Sequence, residues 1–392
     1  MRFIWFFLTW TAIIMSGYWY VGRRIVPAMA HFGLPVYIGW IVIAVLCLLP
    51  LGGFMMVLQR QHESISLDVL LWCGYSSLGL FSLLLVAFLL RDAGGWLHHG
   101  FTWLFTKPNE TVTDETRRQF LIQSVNLGVA GFCTAVAGYG IFKAHNDPVV
   151  EAIEVPLQNL PKNFDGFRIV QFSDLHVGPT IKREFVQRVT DHVMALKPDL
   201  VAFTGDLVDG TVAWLREEVE PLKQLQAPHG VFFVTGNHEY YSGAKAWCDE
   251  AKRLGFDVLL NEHRLIHREN QQICLAGITD YGATDFIPGH LSDPVKAIDG
   301  TSSDYSRILL AHQPKSAPAA SAAGFDLQLS GHTHGGQFFP GNLLAAMAQP
   351  YLKGLHRHDN MWVYVNRGTG YWGPPMRIGS PPEITVITLR CA

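Results

Sequence analysis

Apolar positions along this chain fall into two regimes. Up to about residue 143 they come in long unbroken runs. No Asp, Glu, Lys or Arg occurs between Arg2 and Arg23. The stretch from Ile25 to Gln59 is likewise uncharged, strongest over residues 36–58 and interrupted by Pro50, Gly52 and Gly53. A third run, residues 69–90, closes at Arg91, and a fourth covers 119–142. A bilayer-crossing helix needs ~20 apolar residues. The pattern therefore predicts spans near 3–22, 34–58, 69–90 and 119–142, an all-α bundle of four transmembrane helices occupying residues 1–145.

From Asp147 the rhythm shortens. Brief β-rich runs at 167–172, 200–204, 231–235, 307–311, 327–330, 362–366 and 384–389 alternate with amphipathic stretches at 183–196, 214–225, 244–254 and 314–322. In 183–196, Phe185, Val189 and Val193 share one helical face. Residues 264–267 and 272–277 read as a hairpin. Strands alternating with helices imply a layered α/β domain over residues 146–392.

Five of these strands end in chemistry. After 167–172 comes Ser173-Asp174-Leu175-His176, and after 200–204 comes Gly205-Asp206-Leu207-Val208-Asp209-Gly210. The run 231–235 leads into Gly236-Asn237-His238-Glu239, 307–310 into Ala311-His312-Gln313, and 327–330 into Gly331-His332-Thr333-His334-Gly335-Gly336. Residues two apart in an extended segment point the same way, so His332 and His334 are expected to reach one spot. The carboxyl edge of an open α/β sheet is where ligands bind. Asp, Asn and His delivered together to that edge supply mixed oxygen and nitrogen donors without thiolate, which suits Mn, Fe, Zn or Co.

The order D-x-H, G-D, G-N-H-E, H, G-H-x-H resembles the calcineurin-like metallophosphoesterases over roughly residues 150–392. Arg367-Gly368-Thr369-Gly370 followed by Pro381-Pro382-Glu383-Ile384 resembles their bacterial membrane-associated phosphodiesterase branch. The resemblance implies a four-layer β-sandwich flanked by helices and two divalent cations. Carried over by position, Asp174, His176 and His334 bind one metal; Asn237, His312 and His332 bind the other; Asp206 bridges both. His238 is implied as the acid facing the leaving oxygen, with a hydroxide between the cations as nucleophile. Asp209 either supports a ligand or only shapes its turn, and Glu239 is placed to orient His238. His356-x-His358 lacks flanking glycines and reads as a solvated loop. Tyr240, Tyr241 and Trp247 read as core rather than groove.

Composition narrows the setting. Of 392 residues 49% are hydrophobic and only 16% charged, and the formal charge of −3 gives no electrostatic footprint for nucleic acid. Six scattered cysteines without a CxxC pair indicate neither a zinc ribbon nor a disulfide framework. Arg23, Arg24, Arg91, Lys107, Arg117 and Arg118 flank the first and third connections, against Arg2, Arg60 and Lys143 opposite. By the positive-inside rule the domain after residue 142 lies outside the cytoplasm. Arg117-Arg118-Gln119-Phe120-Leu121 also resembles a twin-arginine export signal, with Ala135-Val136-Ala137 as an A-x-A-like cleavage site. The expected location is a bacterial inner membrane, multi-pass, with the catalytic domain on the periplasmic side. The expected partners are the membrane and a phosphate ester, lipid-linked or from the envelope. The rival readings are a catalytically silent sensor module and a transporter; the few intramembrane polar features speak against the latter.

Overall fold

The computed structural model describes residues 2–57, 64–105 and 114–392. Arg60, Lys107 and Leu58 lie outside the described residues. Two compact units emerge: residues 65–142 with the preceding helices and 373–376, and residues 143–372 with 377–392.

The first unit is helical: α1 (Arg2–His31), α2 (Val36–Val57), α3 (Ile65–Phe105) and α4 (Glu115–His145). Among the described residues, α3 and α4 are long and apolar enough to cross a membrane, while Val36–Leu51 is a shorter apolar stretch. Four helices thus stand where four runs were expected, and two of them meet the length and composition of a span. Tyr18 stacks on Phe81 with ring centroids 4.0 Å apart, and its hydroxyl meets Ser77 Oγ at 2.9 Å. Ser77 in turn donates to the Leu46 carbonyl at 2.8 Å, tying α3 to α2.

The third run was expected to end at Arg91, but α3 continues 14 residues further, to Phe105. The charges do not break the helix because they are matched inside the bundle. Asp92 accepts from Tyr20 Oη at 2.7 Å and from Arg24 Nε at 3.1 Å. Arg91 donates to Asp92 at 3.0 Å and to Asn126. An ion pair with its hydrogen bonds satisfied is tolerated where a lone charge is not.

The second unit holds twelve strands: β1 (Val149–Leu157), β2 (Arg168–Phe172), β3 (Leu200–Phe203), β4 (Val231–Phe233), β5 (Asp257–Val258), β6 (Glu262–Arg268), β7 (Gln271–Gly277), β8 (Arg307–Leu310), β9 (Leu327–Ser330), β10 (Gly354–His358), β11 (Met361–Val365) and β12 (Glu383–Cys391). They form two six-stranded mixed sheets, ordered β1-β12-β2-β3-β4-β5 and β10-β11-β9-β8-β7-β6. Alternation along the strands builds the layers. Ile169, Leu200 and Ala202 point into an interior shared with Ile308, Leu310, Leu327 and Leu329 of the other sheet. Their neighbours Val170, Phe172, Val201 and Phe203 face Val186, Val189 and Val193 of the helix Arg183–Ala195. On the far side Leu309, Val363 and Val365 pack under Ala317 and Ala320. Helices, two sheets and helices again make the α/β sandwich anticipated.

Two details differ from expectation. Strand β1 pairs in parallel with the C-terminal β12, and β12 runs antiparallel to β2; such pairing joins residues more than 200 apart and leaves no local mark. His356 and His358 sit on edge strand β10 rather than in a solvated loop. There His356 donates to the Lys353 carbonyl and His358 meets the Tyr351 hydroxyl, each at 2.8 Å.

Candidate metal centre

The parallel strands β2, β3 and β4 of one sheet and β8 and β9 of the other end at one edge, and the loops that follow converge. Asp174 accepts the His332 backbone N–H on both carboxylate oxygens at 3.0 Å. That approach requires Gly331: a Cβ there would stand 2.0 Å from Ser173 Oγ and 2.4 Å from Asp174 Oδ2. Asp174, His176, Asp206, His332 and His334 all have φ between 50° and 72°, the left-handed region that non-glycine residues rarely adopt. Backbone strain of this kind collects at functional sites, held in place by the surrounding fold.

The left-handed turn also corrects the expectation that His332 and His334 aim at one spot. The segment is not extended there, so the rings diverge. His332 Nδ1 lies 3.2 Å from His312 Nε2, and His334 Nε2 lies 3.0 Å from His176 Nε2. Two clusters result. In one, Asp174 Oδ1 is 3.5 Å from His334 Nε2 and 4.0 Å from His176 Nε2. In the other, His312 Nε2 lies 3.1 Å from Asp206 Oδ2 and 3.2 Å from Asn237 Oδ1. Asp206 Oδ2 is also 3.7 Å from His176 Nε2, which puts this carboxylate between the two. The ligand atoms of Asp174, His176 and His334, and separately of Asp206, His312 and His332, lie within 4.8 Å of one another. Asp174, His176, Asp206, Asn237, His312, His332 and His334 are thus gathered at one edge.

The donor set fits a cation. His312 Nδ1 donates to the Thr204 carbonyl at 2.8 Å, which aims Nε2 at three acceptor atoms. His176 Nδ1 is held in the same way by Asp209 Oδ1 at 3.2 Å. Partners of this kind fix the tautomer and ring orientation of a metal-binding histidine. Burial works against a charge on His312, yet Asp206 outweighs it and pushes the ring up to about 10. Burial likewise opposes ionisation of Asp206, but His312 and His238 hold it well below the carboxylate range. The cluster draws positive charge. His332, by contrast, is held near 3 by burial and by His312 beside it.

His238 occupies the rim. Its backbone N–H reaches Asp206 Oδ1 at 2.9 Å and its Nδ1 meets Asp209 Oδ1 at 2.5 Å. Burial favours the neutral ring, but Asp206 and Asp209 raise it to about 9. Asp209 thus serves two histidines at once, more than a turn requires. Glu239 does not touch the His238 ring. Its carboxylate instead accepts backbone N–H groups of Gly236 at 2.6 Å, Leu207 at 2.8 Å and Asp206 at 3.0 Å. Thr333, a spacer in sequence, ties the loop to the Leu352 carbonyl at 2.5 Å. Trp247 is fully buried, as read, while Tyr241 is half exposed, with its ring 5.0 Å from that of His238.

Arg377 was not singled out, and nothing around it in sequence marks it. It is 1% exposed. It donates to the carbonyls of His334 and Arg367 at 2.8 Å and to Gly368 O at 3.1 Å, and its Nη2 lies 3.0 Å from His334 Nδ1. Its donors are aimed at the loops carrying the ligands.

Comparison with known proteins agrees with this geometry. Residues 167–336 match the profile described as calcineurin-like phosphoesterase. An uncharacterized metallophosphoesterase of Bacillus subtilis is 32% identical over 291 residues, 70% of this chain and 98% of that protein. The chain belongs to the calcineurin-like phosphoesterase family. An uncharacterized metallophosphoesterase of Helicobacter pylori is 37% identical over 267 residues, 66% of this chain and 69% of the relative. A zebrafish (Danio rerio) "transmembrane protein with metallophosphoesterase domain" is 43% identical over 268 residues, 66% of this chain. The chain spans about three fifths of the length of its vertebrate and nematode relatives. This calcineurin-like phosphoesterase thus combines a metal-dependent family's domain with apolar helices, and its vertebrate relatives are named as transmembrane proteins.

Proposed function

We propose that the protein is a membrane-anchored phosphoesterase that uses two divalent cations, from among Mn, Fe, Zn and Co, to hydrolyse a phosphodiester or phosphomonoester of the envelope or of a lipid. The observation that carries this reading is the pair of ligand clusters joined by Asp206, 3.1 Å from His312 Nε2 on one side and 3.7 Å from His176 Nε2 on the other. Asp174, His176 and His334 would hold one cation and Asn237, His312 and His332 the second, with Asp206 shared between them. Two such cations, when bound, clamp the attacking and leaving oxygens of a phosphoryl displacement and make a water between them acidic.

The chain's own residues do the rest. His238, charged through Asp206 and Asp209, donates its Nε2 proton to the departing oxygen, a step typically worth ~10²–10⁴-fold in rate. Asp209 keeps the proton-bearing nitrogen oriented. Glu239 fixes the turn that carries Asp206 and Asn237. The intact acid at His238 Nε2 favours catalysis over a silent sensor role.

The catalytic unit is proposed to work outside the cytoplasm, on the strength of the charge pattern and of the paired Arg117 and Arg118 at the start of α4. A phosphatase reporter fused after Ala392 is expected to be active in whole cells; activity of a cytoplasm-only reporter would reverse the orientation. For the chemistry, the full chain in detergent with Mn²⁺ should hydrolyse bis-p-nitrophenyl phosphate. A His332→Ala protein as active as the wild type would show that the reading is wrong.

A further inference from the structure

Beside the metal loop lies a surface that neither the chemistry nor the sandwich accounts for. From Gln337 to Leu352 the chain carries no Asp, Glu, Lys, Arg or His. Within it the helix Gly341–Ala348 buries none of its residues. Leu344 is 66% exposed and Met347 86%, with Leu343 and Phe339 also open to solvent. A single exposed leucine needs no explanation, but a contiguous apolar edge on a folded domain marks a contact surface.

This edge is built onto the candidate centre. Gly336, two residues after His334, has φ +80°, and a Cβ there would stand 2.2 Å from Asn342 Cα in the first turn of the helix. Gln337 donates to the Trp372 carbonyl at 3.0 Å and accepts the Trp372 N–H at 3.1 Å. Trp372 is half exposed, and its ring lies 5.7 Å from that of His238. An apolar rim therefore begins at the proton donor and continues onto the exposed helix.

We propose that this edge, formed by Phe339, Leu343, Leu344, Met347 and Trp372, receives the hydrocarbon part of an amphiphilic phosphoester presented by a lipid bilayer, with the phosphate over the metal clusters. The inference rests on the phosphoesterase reading above and narrows its substrate class. Three observations select a lipid rather than a second protein. The segment offers no charge to pair with a polypeptide surface. The same chain carries two helices long and apolar enough to cross a membrane, so lipid belongs to the chain's own surroundings. The edge also adjoins His238 at the rim of the clusters, where a substituent of the bound phosphate must lie. A helix with its apolar side at the interface and no acidic residue to repel phosphate headgroups suits contact with a bilayer.

The test holds the reacting group constant and varies only the tail. The full chain in detergent or nanodiscs is given ethyl p-nitrophenyl phosphate, or hexadecyl p-nitrophenyl phosphate carried in phosphatidylcholine. Wild type is expected to prefer the hexadecyl ester by about tenfold or more in kcat/KM, since several methylenes leave water on binding. Leu343→Gln/Leu344→Gln/Met347→Gln should abolish that preference and leave the ethyl ester within about twofold of wild type. Should the triple variant lose both activities, Met347→Gln at the most exposed position decides, with an expected loss of about threefold on the hexadecyl ester alone. An equal rate on both esters in wild type, or a preference that survives the substitutions, overturns the proposal while leaving the phosphoesterase reading intact. If neither ester is cleaved, the underlying reading fails first. A concentration-dependent dimer that the triple variant dissolves would assign the edge to a second copy of the chain and likewise overturn it.

Discussion

Glu239 offers the sharpest test of how the centre is held. The carboxylate is fully buried and receives three backbone N–H groups, from Gly236, Leu207 and Asp206, at 2.6 to 3.0 Å. Oε2 takes two of them and Oε1 takes the third. Glu239→Ala leaves all three donors buried without a partner. At ~1–3 kcal/mol each, the total is on the order of 6 kcal/mol. Glu239→Gln can keep its carbonyl oxygen at the Oε2 position but turns an amide NH₂ toward Leu207 N–H, so it costs about 2 kcal/mol, one lost partner. The prediction is therefore a graded pair. Thermal unfolding of the metal-free chain in detergent, followed by near-UV circular dichroism with chelator present, measures it. For a domain of this size ~1 kcal/mol moves Tm by ~2–4 °C. Alanine should lower Tm by roughly 12–24 °C and glutamine by roughly 4–8 °C. Equal shifts, or an alanine variant within about 2 °C of wild type, would refute the view that this carboxylate anchors the turn carrying Asp206.

Further outcomes follow from the same geometry. His334→Ala and His332→Ala should each lower metal content by about one equivalent, measured by plasma mass spectrometry, and cut diester hydrolysis by about 10² or more. For Asp209→Asn, the charges that raise His238 to about 9 are Asp206 and Asp209. Removing one lowers its pKa, and because the acid must be protonated, the descending limb of the kcat–pH profile should move to lower pH; an unmoved limb would show that His238 is not the acid. Gly331→Ala pushes a methyl into Asp174 Oδ2 and should abolish metal retention even though the chain gains no charge. In the helical unit, Asp92→Ala takes from Arg24, Arg91 and Tyr20 their shared, part-buried acceptor and should destabilise the detergent-solubilised chain by about 1–3 kcal/mol.

Much of the centre was legible because each ligand follows directly on an apolar run. Strands β2, β3, β4, β8 and β9 are short and alternate between two cores, so their ends are sharp in sequence. What was hidden depends on distant partners. Helix α3 passes Arg91 because Tyr20 and Arg24, some 70 residues away, neutralise Asp92. Strand β1 is an edge strand that buries only Val155 and Leu157, at its far end. Arg377 looks like any surface arginine until the carbonyls of Arg367, Gly368 and Gly370 are placed around it. The helix Gly341–Ala348 has a plain apolar sequence that suits a core, and only its exposure shows otherwise.

The left-handed turns at Asp174, His176, Asp206, His332 and His334 constrain how such a chain can drift. At these positions a replacement must satisfy two demands, a donor atom for the cation and a backbone that tolerates positive φ. Glycine meets the second and not the first. Glutamate or cysteine offers a donor and resists the turn. Asparagine, aspartate and histidine approach both. Few single-residue routes therefore lead from one working donor set to another, and a change of metal preference is more easily reached through the residues that hold these five than through the five themselves.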